Sequence, residues 1–399
     1  MATKRYTYKL RPGALAREKL RREYGRTRWL WNEAVHTARS GQKPTAKKLS
    51  NWLTAARRAN RWLRDGSVVC QQQVLRDYST AYSASFTVKG RGKPTIKTRK
   101  THPRVTLNYT RRGFSLPTVP DSTGESRVRI RLAKIGDIPV VWSRELPSEP
   151  SSVRINEDAC GDFWASFVVE VVDPAPLPDT GKSVGMDFGI TTTVTTSEPD
   201  YDLPFHGHRQ KVAKNLAAHQ RRMAELRKKR DDQSRRQYAR AKKKAARLHR
   251  TATRQAKDTA YKWAHRVCRD FDQLAVEDFS PKFMFSSTLA RKAADARVGT
   301  VKNILIEVAE TTGRTVVLVN PRYTTQECSQ CAARPKRRLE LSDRTYTCSS
   351  CGFIADRDRN AALVMLNRAG FLPAESGSKA GSAVSAASRV PTSSGIPRL

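Results

Sequence analysis

The sequence predicts a multidomain α+β chain. A helical segment and a small β-barrel or sandwich come first, and an α/β domain carrying a metal-binding ribbon follows. Three observations lead there. Cys328, Cys331, Cys348 and Cys351 read C-x2-C-x16-C-x2-C, the spacing of a structural zinc ribbon, in which two short arms each offer two thiolates to one tetrahedral ion. Two buried-strand patterns, GMDFGI and LAVEDF, carry acids and are separated by long helical periodicity. Short strand-like runs with turn residues between them fill the stretch from about Val105 to Val172.

Composition bounds the partners. Lys+Arg 75 against Asp+Glu 37 gives a net charge of +38 and a sequence pI near 10.5. Such a charge repels itself unless a polyanion neutralises it, which points to nucleic acid rather than a membrane surface. No stretch approaches the roughly 20 apolar residues of a spanning helix. The opening MATKRYTYKL has no apolar signal core, so a cytoplasmic setting with reduced thiols is expected. Cys70, Cys160 and Cys268 are scattered and read as lone buried thiols. The length predicts about two to three domains.

In chain order, Arg5 to Leu10 alternates as a strand. From Ala14 to about Ser40 the pattern is helical, with Leu20, Tyr24, Thr27, Trp31 and Ala34 on one face. Arg21, Arg22, Arg26 and Arg28 occupy much of the rest, and Arg26 and Arg28 are candidate nucleic-acid contacts. A second helix is expected over Lys47–Leu63 and a third over Val68–Phe86, where Val74, Tyr78, Tyr82 and Phe86 form a core stripe. Residues 88–104 are a basic loop punctuated by Gly and Pro. The strand runs follow, and Asp173–Gly181 is a proline-rich linker. Residues 209–270 read as long basic helix, with 14 Lys/Arg against 3 acids between Arg221 and Arg250. So large an excess suits a phosphate-tracking surface better than an ordinary solvated face. Lys302–Thr311 is amphipathic helix and Thr315–Asn320 a third buried strand. The tail, 372–399, is expected to be disordered.

The acids carry the chemistry. In GMDFGI, strand alternation puts Gly185, Asp187 and Gly189 on one face, which predicts open space around the carboxylate. Glu277 and Asp278 are adjacent, so only one faces the same site. Asp358 opens a helix, where the dipole favours negative charge. Three carboxylates on separate elements are what two magnesium ions need to clamp a scissile phosphate. Isolated buried acids are costly without a cation.

GMDFGI, LAVEDFS, PRYTTQECSQC, CSSCGF and DRDRNAA together resemble the transposon-encoded TnpB family and its descendants, the compact type V CRISPR effectors. RYTYKLRP, RWLWNEAV, GKPTIKTRK and IGDIPVVWSRELP extend the resemblance over roughly residues 4–369. It implies an RNA-guided DNA endonuclease with a RuvC-like, RNase H-like α/β nuclease domain and an inserted zinc ribbon. The catalytic acids would be Asp187, Glu277 and Asp358, holding magnesium, with Asp356 a neighbour. The implied layout is a wedge domain (1–13 and a β-barrel at 89–174) split around a helical recognition lobe (14–88). A linker (175–182), the RuvC-like domain (183–321), the ribbon (322–355) and a last RuvC segment (356–371) follow. Guide RNA and target double-stranded DNA would be the partners of a monomer, with a dimer as the alternative. Gln72 and Gln73 match a Gln-containing helix of that lobe and are candidate DNA contacts. One departure is Ala332, where the family commonly has Gly after the second ribbon cysteine.

Base pairing with a guide would supply sequence specificity, which fits +38 without a helix-turn-helix. The rival readings are an RNA-guided DNA-binding protein that does not cut, a guide-independent transposon-associated nuclease, and a zinc-ribbon transcription factor. The intact acids argue against the first, the basic surface beyond the nuclease domain against the second, and the acid-bearing strands against the third.

Overall fold

The computed structural model describes residues 2–120, 126–172, 175–229, 231–279, 290–335, 339–340, 343–371 and 388–389. The chain divides into two compact units, Met1–Val172 and Asp173–Leu399.

In the first unit, β1 (Ala2–Leu10) is followed by α1 (Ala14–Arg39), α2 (Ala46–Ala59), α3 (Arg61–Arg64) and α4 (Val68–Thr87). The strands β2 (Thr106–Thr110), β3 (Phe114–Ser115), β4 (Thr118–Pro120), β5 (Ser126–Leu132), β6 (Gly136–Val141), β7 (Ser152–Glu157) and β8 (Phe163–Val171) come next. They form a nearly closed antiparallel barrel in the order β2-β7-β8-β1-β6-β5-β3, with β4 on β5. The first strand therefore sits in the middle of the sheet, and the helices are an insertion between it and β2. The sheet buries every second residue: Phe163, Ala165, Phe167 and Val169 of β8 are all within 1% of fully buried. The helices have their own core of Leu30, Leu53, Leu63, Leu75 and Tyr78, and Trp29 stacks on Trp52 at 5.9 Å. The helix expected over Lys47–Leu63 is two. Asn60 is extended (φ −123°, ψ 106°), and its side chain accepts from Trp62 N at 3.0 Å, which ends one helix and caps the next.

In the second unit, β9 (Ser183–Asp187), β10 (Thr192–Thr196), β11 (Leu203–Pro204), α5 (Ala213–Lys228), α6 (Asp232–Asp270) and β12 (Gln273–Glu277) lead to α7 (Ala290–Ala296) and α8 (Val298–Thr312). Then come β13 (Thr315–Val319), β14 (Thr345–Thr347), β15 (Ile354–Asp356), α9 (Arg357–Ala369) and β16 (Ser388–Arg389). The long basic helix expected over 209–270 is a hairpin of α5 and α6. Asp231 is extended and caps α6 by accepting from Ser234 N at 2.7 Å. The sheet order is β11-β10-β9-β12-β13-β16, and β9, β12 and β13 run parallel. Alternation decides the two faces. Val184, Met186, Phe188, Leu274 and Val276 pack on α6 and α8, with Trp263, Val267 and Leu305. Ala275, Val317 and Val319 of the opposite face pack under Met365 and Leu366 of α9. Of the tail expected to be disordered, only Ser388–Arg389 falls among the described residues, antiparallel to Val317–Leu318.

No helix among the described residues is long and apolar enough to cross a membrane.

Candidate active site and metal centre

Asp187 ends β9 and Glu277 ends β12. These strands pair in parallel with Val276 beside Met186, so the two acids are the next pair along the register. Both project from the face that α9 covers, and Asp358 lies in the first turn of α9. Asp187 is pushed well above the usual carboxylate range, first by burial and then by the charges of Glu277 and Asp358. Burial likewise raises Glu277 to about 7, against a backbone hydrogen bond from Phe188 and the nearby Lys302 ammonium. The three acids thus share one electrostatic site. Asp278 points elsewhere: its carboxylate is largely exposed, 3.6 Å from Lys302 Nζ. Lys302 is buried and donates to the Glu277 carbonyl at 2.5 Å, which holds the end of β12.

The glycines beside Asp187 do not open space, contrary to expectation. A Cβ on Gly185 would overlap the Ala362 carbonyl oxygen and stand 3.0 Å from both the Ala362 carbonyl carbon and Leu366 Cγ. One on Gly189 would lie 2.7 Å from Thr192 O. Gly185 lets α9 approach β9, and that approach brings Asp358 to Asp187. Asp356 caps the helix, accepting from Asp358 N and Arg359 N, both at 3.0 Å. Arg359 then ties α9 to β10. It donates to Asp202 at 2.8 and 3.0 Å and to the Thr196 carbonyl. Arg357 Nε and Arg344 Nη1 stand 3.6 and 3.8 Å from the Asp358 carboxylate.

The four ribbon cysteines converge, with all Sγ atoms within 4.8 Å of one another. Cys328 and Cys351 are 3.7 Å apart, Cys331 and Cys348 3.6 Å. A zinc ion with Zn–S of about 2.3 Å needs tetrahedral edges of about 3.8 Å, so the set fits zinc. Backbone N–H groups of Cys351 and Ser350 bring the Cys348 thiol down to about 6, while burial raises Cys328, and Cys331 rises to about 12 against a backbone hydrogen bond at Ala333, so without a metal the negative charge settles on Cys348. In each knuckle the residue after the second cysteine is left-handed: Gly352 at φ +75° and Ala332 at φ +57°.

Asn360 joins ribbon to helix. It is fully buried, accepts from Ser329 N at 3.0 Å and donates to Glu327 O at 2.7 Å. Asn367 donates to Ser329 O at 2.5 Å, and Arg368 reaches Glu327 at 2.9 Å. Sequence reasoning assigned no role to Lys302, Arg344, Arg359 or Asn360. Only the NAA of DRDRNAA drew attention to Asn360, because a buried carboxamide between two elements leaves no periodic trace.

In the first unit, Arg26 corrects an expectation. It is buried, pairs with Glu23 at 3.0 Å and donates to Trp62 O at 2.6 Å, so its charge is spent inside the fold. Arg28 lies over the Tyr24 ring at 5.7 Å. Gln73 donates to Asp77 at 2.9 Å, and Gln72 is half-buried. Arg28, Trp31, Asp77, Lys97 and Asn108 line a cavity of about 270 Å³. Burial there lowers Lys97 to about 8, and its Nζ sits 3.2 Å from the Trp31 ring centroid.

Residues 166–288 match the sequence profile of the family described as "Probable transposase", and residues 299–365 that of "Cas12f1-like, TNB domain". Two similar proteins carry the name "Putative RNA-guided DNA endonuclease". One, from Streptomyces pristinaespiralis, is 28% identical over 99% of this chain and 98% of its own. The other, InsQ of Escherichia coli, is 25% identical over 90% of this chain and 91% of its own. Among solved structures, a Cas12f1 complex with single guide RNA and target DNA superposes with a TM-score of 0.56 at 13% identity. It covers 88% of this chain and 81% of that one, a likeness of fold.

Proposed function

The chain belongs to the TnpB family, and from that premise we propose that it is an RNA-guided DNA endonuclease whose catalytic acids are Asp187, Glu277 and Asp358. The observation that carries the reading is the meeting of these carboxylates at one sheet edge, where Glu277 and Asp358 both raise Asp187. Hard oxygen donors that disfavour each other's charge fit magnesium, because a bound cation offsets the repulsion. A magnesium pair would activate the attacking water and stabilise the leaving oxygen.

The chain's own residues prepare the site. Lys302 fixes the end of β12 through the Glu277 carbonyl. Asp356, Arg359 and Gly185 set the depth and angle of α9, and with them the position of Asp358. Arg344 places an exposed guanidinium beside Asp358, where it can turn to a phosphate oxygen, while buried Arg357 stays fixed beside Asp358 by donating to the Glu340 carbonyl at 2.7 Å. The basic α5–α6 hairpin is proposed to track a nucleic-acid backbone, leaving sequence choice to the guide. Residues 1–13 and 89–174 would be the wedge, 14–88 the recognition lobe, 183–321 with 356–371 the RuvC-like domain, and 322–355 the ribbon that holds target nucleic acid.

The test is to purify the protein expressed with its genomic flanks and sequence the RNA that accompanies it. One abundant structured RNA from the locus, ending in a variable segment, is expected. Heterogeneous cellular RNA would overturn the guided reading.

A further inference from the structure

The loop that leaves β13 carries a feature the carboxylate site does not use. Tyr323 keeps 42% of its surface exposed, and two guanidiniums lie over its ring, Arg322 at 4.9 Å and Arg334 at 4.5 Å from the centroid. Its backbone is left-handed, at φ +66°. The loop is nonetheless firmly held. Tyr323 O accepts from Gln326 N and Glu327 N at 2.9 and 3.0 Å, and Arg368 of α9 grips the carbonyls of Asn320 and Arg322 at 2.9 and 2.8 Å. Glu327 pairs with Arg334 at 3.0 Å and Arg368 at 2.9 Å, and Arg322 donates to the Tyr323 hydroxyl at 3.2 Å.

The place matters as much as the chemistry. Val319 at the end of β13 pairs with Glu277, so the loop begins at the same carboxyl edge of the parallel strands as the acids. Two strand spacings, about 10 Å, separate β13 from β9 and Asp187.

We propose that Tyr323 is a stacking platform for an unpaired base of the DNA strand delivered to the carboxylates, with Arg322 and Arg334 taking the flanking phosphates. An aromatic face with cations around it binds single strands without reading sequence, which suits a protein whose specificity resides in a guide. This inference rests on the nuclease reading above.

The experiment uses the full, zinc-loaded chain in magnesium-free buffer with single-stranded DNA carrying 5-iodouracil, which couples to a stacked aromatic ring under ultraviolet light. Peptide mapping should find the adduct on Tyr323. Tyr323→Trp should keep an adduct at that position, and Tyr323→Ala should lose it by about tenfold or more, the scale of one base–aromatic stack. No adduct within 321–324 of the unmodified chain overturns the platform, and that result needs no variant to fold. Cleavage of a guided duplex is scored separately in magnesium. Cutting without the adduct removes the platform and leaves the nuclease reading standing. An adduct without cutting does the reverse.

Discussion

Gly185 lies directly beneath the backbone carbonyl of Ala362, with no room for a side chain between strand and helix. On β9 the residue two beyond Gly185 is Asp187, and on α9 the residue four before Ala362 is Asp358. Two residues of strand and four of helix span nearly the same length, about 6–7 Å. The contact between the small residues thus sets the meeting of the acids.

Gly185→Ala should therefore act as an active-site substitution without touching an acid. A Cβ must push α9 outward, at a cost of about 1–3 kcal/mol for overpacking. Thermal melting should show that loss, and cleavage should fall more than guide or target binding. Unchanged cleavage at a lowered melting temperature would show that α9 has slack.

Asn360→Ala should uncouple the ribbon from α9. It leaves Ser329 N and Glu327 O without the partner that holds them, at about 1–3 kcal/mol. Zinc content should stay the same, while the cleavage rate falls and guide-RNA affinity holds. Zinc analysis beside single-turnover kinetics separates this from loss of the ribbon.

Ala332→Gly should stabilise the ribbon, because Ala332 is held at φ +57° where an L side chain is strained. Relief of about 1 kcal/mol is expected. It would appear as tighter zinc retention against a chelator. No gain would mean that the unfolded-state entropy of the new glycine cancels it.

The magnesium-free protein should lose stability as pH rises through the acid cluster. Glu277 is raised from 4.5 to about 7, and Asp187 is raised too. In the window between the unfolded and folded values the folded state binds more protons, so stability is full below about 4.5 and falls as pH climbs towards 7. A drop on the order of 3 kcal/mol is expected in magnesium-free buffer that leaves the ribbon zinc in place. Asp187→Asn should shrink it to the share that burial of Glu277 contributes, and added magnesium should remove it, as read from melting temperature against pH.

Much of this was legible in the sequence, for physical reasons. The ribbon spacing, the acids within apolar strands and the helical stripes are local patterns. What escaped depends on partners far along the chain. Gly185 looked like room for a metal because the helix that fills it begins 172 residues later, at Arg357. Arg26 looked like surface because periodicity cannot show that Glu23 is buried beside it. Thr192–Thr196 is a run of Thr around one Val, without alternation, and was not singled out as a strand. The breaks at Asn60 and Asp231 each hinge on one capping side chain inside a continuous helical pattern.

The most direct test is Asp187→Ala, with cleavage and target binding measured on the same guide-loaded protein. The arrangement of Asp187, Glu277 and Asp358 predicts that cutting is abolished while the target is bound as tightly as before. Residual cutting near the unmodified rate, or loss of binding together with cutting, would contradict it and make Asp187 a structural acid.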